Sequence, residues 1–406
     1  MGKLRTRLLG FGSLLCSKHI LPTRYSIQRN ILVCRVENYH KIAIVGCGIA
    51  GISLCYYLCK LSAELQKPCH ITVFDPCQPG SGGASRVAAG LLHPFSPSSK
   101  LLWNGLEAFR LATQVIRHVE SQLGTNIIQN WGIMRLALTE KQHKQLEQAV
   151  VSFPHRVQLF QGVDLDHILG WNSSAISGLL LKDACTIHTG EYIRGLFQLC
   201  MQLGRVEWRP EIVRHVEDLK QTNEFQDIVF CTGADINFIG GISGHVSITR
   251  SFGRNFYYHQ GETNQPLKVP IICGRYLIPG KTTFIAGATF EGDSCLSDQL
   301  AQDMQISDVQ SRLDKLVPGI FNHLQFIHMD GAFRALPERT QLGSIPIIDQ
   351  LGTFNKCNIW LYTGLGSRGI LYHAWLSQQL AKAIVFHDAN ILPHQVRRKL
   401  SDDKIR

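Results

Sequence analysis

The residues with the clearest chemistry in this chain are glycines. Gly46, Gly48 and Gly51, within Gly46-Cys47-Gly48-Ile49-Ala50-Gly51, have the spacing that lets a backbone wrap a pyrophosphate where a helix begins. Gly46 allows the tight turn, Gly48 the approach to phosphate, and Gly51 the close packing of helix on strand. Ile49 and Ala50 fall in the first helical turn, where unpaired N–H groups carry partial positive charge toward an anion. Asp75, 24 residues after Gly51, suits hydrogen bonds from ribose hydroxyls, and an acid there disfavours a 2′-phosphate. FAD or NAD is therefore favoured over NADP.

Three further loops select FAD. Gly80 to Gly90, containing Ser85, Arg86 and Ala89, is a run of small residues directly after the acid. An ordinary nicotinamide dehydrogenase has no need of it, whereas a ribityl chain and flavin ring require close backbone approach. Thr232-Gly233-Ala234 ends a short apolar run. Near the C-terminus, Gly364-Leu365-Gly366-Ser367-Arg368-Gly369-Ile370 precedes a predicted helix over 371–386. Amide groups at that helix start can stabilise negative charge on a reduced flavin.

These loops need rigid elements to hold them. Ile42 to Val45 reads as a buried parallel strand, Ile52 to Leu61 as the helix after the loop, and His70 to Phe74 as a second strand ending at Asp75. Ile228 to Phe230 reads as another buried parallel strand. Residues 42–59 lack charge, but the glycine spacing inside them argues against a membrane helix, and none is expected.

Composition limits the alternatives. The 406-residue chain is 45% hydrophobic and 18% charged, as expected of a globular protein with a substantial core. Its net charge is +10, but residues 1–40 hold seven basic side chains against one acid, which leaves +4 for residues 41–406. That remainder argues neither for nor against a nucleic acid. Thirteen cysteines without a CxxC pair read as small buried hydrophobes rather than a disulfide framework, and no zinc-ligand spacing is present. The basic, serine-containing first forty residues have the composition of an organellar transit peptide, for a chloroplast or, as the alternative, a mitochondrion.

On these loops the sequence resembles the D-amino-acid oxidase-like flavoproteins, which include glycine oxidase and sarcosine oxidase. Within them it is most similar to the oxidoreductase domain of the bacterial bifunctional tRNA 5-methylaminomethyl-2-thiouridine biosynthesis protein MnmC. The resemblance runs over about residues 41–385. It is carried by 46–51, Gly83-Ala84-Ser85-Arg86 through Gly90-Leu91-Leu92-His93-Pro94, Ala286-Gly287-Ala288-Thr289-Phe290 and, most specifically, Gly364 to Gly369.

The resemblance implies an α/β fold, a Rossmann-like FAD-binding domain with an inserted antiparallel-sheet substrate domain. The expected segments are 41–110, 181–240 and 336–390 for the FAD domain, and 111–180 and 241–335 for the substrate domain. A transit peptide at 1–40 and a tail at 391–406 complete the division. FAD is expected to be non-covalent, because no cysteine sits in 334–349. Val213 joins the expected cofactor contacts.

The implied reaction oxidises the C–N bond of a carboxymethylamino group, and in the tRNA family it removes carboxymethyl from a wobble uridine as glyoxylate. Arg334, in Gly331-Ala332-Phe333-Arg334, matches the arginine expected to hold the carboxylate, with Arg339 as second choice. The bacterial protein carries a methyltransferase too; with no room for one before Lys41, a separate methyltransferase is the expected partner. Arg194, Arg205, Arg209, Arg214, Arg250, Arg254, Lys268, Arg275 and Lys281 are scattered candidates for phosphate contacts. The segment His245 to Tyr258 departs from the family pattern. Two alternatives therefore remain: oxidation of a small free amine such as glycine or sarcosine, and a non-catalytic flavin-binding assembly factor.

Overall fold

The computed structural model describes residues 39–222, 224–261, 266–293, 299–354 and 356–397. The expected transit peptide, apart from its last two residues, and the end of the expected tail lie outside these.

Six strands form the sheet that carries the first glycine loop. Their order is Ile347–Phe354, Cys357–Thr363, Asp227–Phe230, His40–Val45, Cys69–Phe74 and Arg205–Arg209. All neighbours are parallel except the edge hairpin of Ile347–Phe354 with Cys357–Thr363. Strand His40–Val45 is nearly continuous in apolar residues because both of its faces are covered. Helices Ile49–Leu65, Gly105–Leu123, Thr189–Leu203 and Gly369–Val385 pack on one face in a shared core. On the other face, side chains between Val213 and Ile248 close a second core against Ile228, Phe230 and Leu361.

The predicted parallel strands are present. Helix Ile49–Leu65 is longer at both ends than the apolar run over 52–61, and Gly369–Val385 begins two residues before the predicted start. The earlier starts arise because glycines open these helices, where propensity alone argues against them.

The second sheet is built from Ile248–Gln260, Leu324–Pro337, Thr283–Gly287, Arg275–Pro279, Ile271–Cys273, Ile128–Ala137, Ser177–Ile187 and shorter strands. It is antiparallel except where Ile271–Cys273 runs parallel to Ile128–Ala137. Strands Ile248–Gln260 and Leu324–Pro337 pair along most of their length, which sets Arg334 opposite Ser251. Among the described residues no helix is long and apolar enough to cross a membrane, and the cysteines are free and mostly buried.

Candidate active site

Strand His40–Val45 lies between Cys69–Phe74 and Asp227–Phe230, so the connections leave its two sides in opposite directions. Crevices at the C-terminal ends of such strands are where open α/β sheets bind ligands. A cavity of about 990 Å³ occupies this position and reaches the second sheet.

The first glycine loop forms one end. Gly46, Gly48, Ile49 and Ala50 line the cavity. Gly51 does not, and its role is packing: a Cβ there would sit 2.0 Å from the Gly46 carbonyl oxygen. Gly48 caps the helix without any side-chain bond, and the Ile49 N–H donates to Ser85 Oγ at 3.0 Å. The second small-residue loop is thereby tied to the helix start. Both Asp75 oxygens accept backbone N–H bonds at 2.8 Å, from Cys47 and Cys77, which fixes the carboxylate at the cavity edge.

Ser85, Arg86, Ala89 and Gly90 continue the wall, with Val213 beside them. Arg86 also forms a two-pronged pair with Asp330 on strand Leu324–Pro337, joining the cofactor loop to the second sheet. Thr232, Gly233 and Ala234 line the cavity with Gly364, Leu365, Gly366 and Ser367. Gly369 and Ile370 complete that side where helix Gly369–Val385 begins.

Arg368 departs from the expectation. Its side chain runs behind the loop and donates to the Phe95 carbonyl at 3.2 Å, outside the cavity lining. Burial pushes its guanidinium below the usual arginine range. The short 3-10 turn at Gly366–Arg368 accounts for this, because it turns residue 368 away from the face shown by residues 364–367.

Arg334 also lines the cavity. Its Nη2 donates to the Thr289 carbonyl at 2.8 Å, its guanidinium lies 4.4 Å from the Phe290 ring centre, and its buried Nε has no hydrogen-bond partner. Burial lowers its pKa, partly offset by Tyr276 and Glu291. Arg339, the second choice, is exposed in a two-residue strand away from the cavity.

Sequence reasoning missed the remaining wall. Phe252, Asn255, Tyr276 and Phe333 line it beside Arg334. Phe252 and Phe333 meet edge to face at 4.9 Å, and Tyr276 donates to Asn255 Oδ1 at 2.6 Å. Asn255 Nδ2 donates to the Val87 carbonyl at 2.6 Å, linking this wall to the cofactor loop. Residues 251–256 are buried without a break, so no alternation along the strand marked Phe252 or Asn255, and only cross-strand pairing brings them to Tyr276 and Phe333.

Several of the scattered arginines are neutralised. Arg254 pairs with Glu291, Arg250 with Asp235 and Asp293, Arg275 with Asp308, and Arg209 with Glu207. Among the described residues, no His, Cys, Asp and Glu cluster suits a metal ion.

The lining fits a flavin dinucleotide. Thr189 Oγ1 and Thr232 Oγ1 are buried in the cavity wall with no partner. Two helix starts with no side-chain cap face it, and the pinned Asp75 stands at the first.

A doubly wound nucleotide-binding sheet joined to an antiparallel substrate sheet, with one cavity between glycine loops and an arginine, defines a flavin-dependent oxidoreductase architecture. The chain belongs to the FAD dependent oxidoreductase (DAO) family, whose model matches residues 41–383. No curated protein matches the sequence.

Among solved structures, glycine oxidase from Geobacillus kaustophilus is 17% identical, with a TM-score of 0.70 over 89% of this chain and 99% of that one. L-proline dehydrogenase from P. horikoshii is 15% identical, with a TM-score of 0.70 over 88% and 96%. Iminodiacetate oxidase from Chelativorans sp. is 15% identical, with a TM-score of 0.66 over 85% and 95%. At these identities the likeness establishes the fold.

Proposed function

We propose that this protein oxidises the C–N bond of a secondary amine bearing a carboxymethyl group. The observation that carries the reading is Arg334: it lines the cavity shared with the glycine loops, and its Nη2 is anchored to the Thr289 carbonyl. A guanidinium with free donors grips a carboxylate through two parallel hydrogen bonds. FAD supplies the two-electron acceptor.

The chain's own contribution is positioning. Arg334 fixes the carboxylate, so the adjacent methylene is held in one orientation at the glycine-loop end. Phe252 and Phe333 give that part of the cavity an apolar wall beside Arg334. Loss of hydride from carbon and a proton from nitrogen gives an imine. Water then cleaves it to a primary amine and glyoxylate.

The finer proposal is that the amine is the carboxymethylaminomethyl side chain of a tRNA wobble uridine. Its support is the loop Gly364 to Gly369, which resembles the tRNA-modifying domain of MnmC. A separate methyltransferase would then act on the aminomethyl product. A plastid is the proposed compartment, with a mitochondrion as the alternative, and imaging of a fluorescent fusion tests this.

The second reading, a small free amine, is favoured by the pairing of Arg250, Arg254 and Arg275 with acids, which removes charge a polyanion would use. Iminodiacetate, the substrate named for one structural neighbour, is itself an N-carboxymethyl amine.

Nucleoside mass spectrometry of organellar tRNA with and without the protein separates the two. Accumulation of the carboxymethylaminomethyl base on loss of the protein is expected. Rapid glyoxylate release from free N-carboxymethyl amines, with unchanged tRNA nucleosides, would replace the tRNA reading by the second.

A further inference from the structure

Behind Arg334, outside the cavity lining, lies a buried ion pair. Arg254 Nε donates to Glu291 Oε1 at 3.0 Å and Arg254 Nη2 to Oε2 at 3.4 Å, and the two side chains are 8% and 2% exposed. Burying two charges is costly, and apolar side chains of similar volume would often stabilise the fold better. Apolar residues there could not accept the hydrogen bond that the Thr289 hydroxyl donates to Glu291.

Thr289 is what the pair holds. Its hydroxyl donates to Glu291 Oε1 at 2.7 Å and accepts the Arg254 backbone N–H at 2.9 Å. Its own N–H donates to the Arg254 carbonyl at 3.1 Å. Side chain and backbone of Thr289 are therefore both fixed, and its carbonyl is the acceptor for Arg334 Nη2.

Gly253 completes the seat. A Cβ at that position would lie 2.1 Å from Arg334 Nη2, so only a glycine lets the guanidinium rest on the strand. A guanidinium is a rigid plane with five donors, so anchoring one N–H restricts where the remaining donors point.

We propose that the buried Arg254–Glu291 pair acts through Thr289 to position Arg334, and thereby sets carboxylate recognition in the cavity. This rests on Arg334 being the carboxylate anchor. Arg254, Glu291 and Thr289 are positioning residues, and they meet the substrate only through Arg334. The negative charge of Glu291 also favours the ionised guanidinium against its burial.

The test compares FAD-loaded Thr289→Val, Thr289→Ser, Glu291→Gln and Arg334→Met proteins with the parent. The probe is glycolate, which offers a carboxylate and no amine, titrated against the flavin absorbance band. The glycolate Kd and the KM for an N-carboxymethyl amine should rise about tenfold in Thr289→Val and Glu291→Gln, as for one lost charge-assisted hydrogen bond. Affinity for sulfite, which carries no carboxylate, should stay at the parent value. Thr289→Ser keeps the hydroxyl and should match the parent.

If Glu291→Gln fails to fold, the Thr289→Val and Thr289→Ser pair decides, since it leaves both charges in place. Parent-like glycolate binding in Thr289→Val, with Arg334→Met impaired, overturns the positioning role alone. Parent-like binding in Arg334→Met overturns the carboxylate assignment, and the positioning role with it.

Discussion

The Thr363 hydroxyl donates to the Gly233 carbonyl at 2.9 Å, a bond between residues far apart in the chain. It fastens the loop after strand Asp227–Phe230 to the loop after Cys357–Thr363, and both loops line the cavity. The cofactor site is thus assembled by cross-links between loops, as the bonds from Ile49 to Ser85 and from Asn255 to Val87 also show.

Replacing Thr363 by Val removes this bond while keeping the side chain's shape. A neutral hydrogen bond contributes about 1 kcal/mol, so the FAD dissociation constant should rise roughly fivefold. Flavin fluorescence on dilution of the loaded protein measures the change. An unaltered constant would show that the two loops hold position without the cross-link.

Gly51→Ala should be far more damaging. The new Cβ meets the Gly46 carbonyl at 2.0 Å, and backbone cannot yield as a side-chain tip can. Overpacking at such a contact costs roughly 3 kcal/mol, and the helix start retreats from the strand. Lower flavin content after purification and a lower urea midpoint are the expected readouts.

Arg334→Lys keeps the positive charge and loses the planar fork. The KM for an N-carboxymethyl amine should rise between about tenfold and a hundredfold, the loss of a bidentate grip. Arg334→Met should do worse because the charge is lost too. Steady-state kinetics at matched flavin content decides the order, and equal KM values for Lys and the parent would remove the bidentate grip from the proposal.

What could be read from the sequence was whatever is local. The Gly46 to Gly51 loop, its flanking strands and Asp75 lie within about forty residues, and each role follows from spacing alone. Arg334 was reached by resemblance. Its partners Tyr276, Asn255, Phe252 and Thr289 were not, because they meet only through the pairing of strands Ile248–Gln260, Arg275–Pro279, Thr283–Gly287 and Leu324–Pro337. The direction of the Arg368 side chain was not legible for the opposite reason: a motif fixes backbone geometry, and where one side chain points depends on a turn that the motif does not specify.

Stability should fall in mild acid, and His373 names the cause. It lies fully buried on helix Gly369–Val385, directly after the last glycine loop. Its Nδ1–H donates to the Ile370 carbonyl at 2.7 Å, so Nε2 accepts from the Tyr192 hydroxyl, also at 2.7 Å. The neutral ring is thus satisfied at both nitrogens. Burial lowers its pKa from 6.5 to about 4. Because the folded-state value lies below the unfolded one, the unfolded chain takes up the proton first. The stabilisation is present in full above pH 6.5 and is lost as pH falls toward 4, by roughly 3 kcal/mol for a shift of this size. His93 is shifted in the same direction by burial and by Arg135 and Arg368, and adds to the loss. Urea midpoints measured from pH 7.5 to 4.5 should therefore decline in the parent and decline less steeply in His373→Gln. An equal slope in the two proteins would place the acid sensitivity elsewhere.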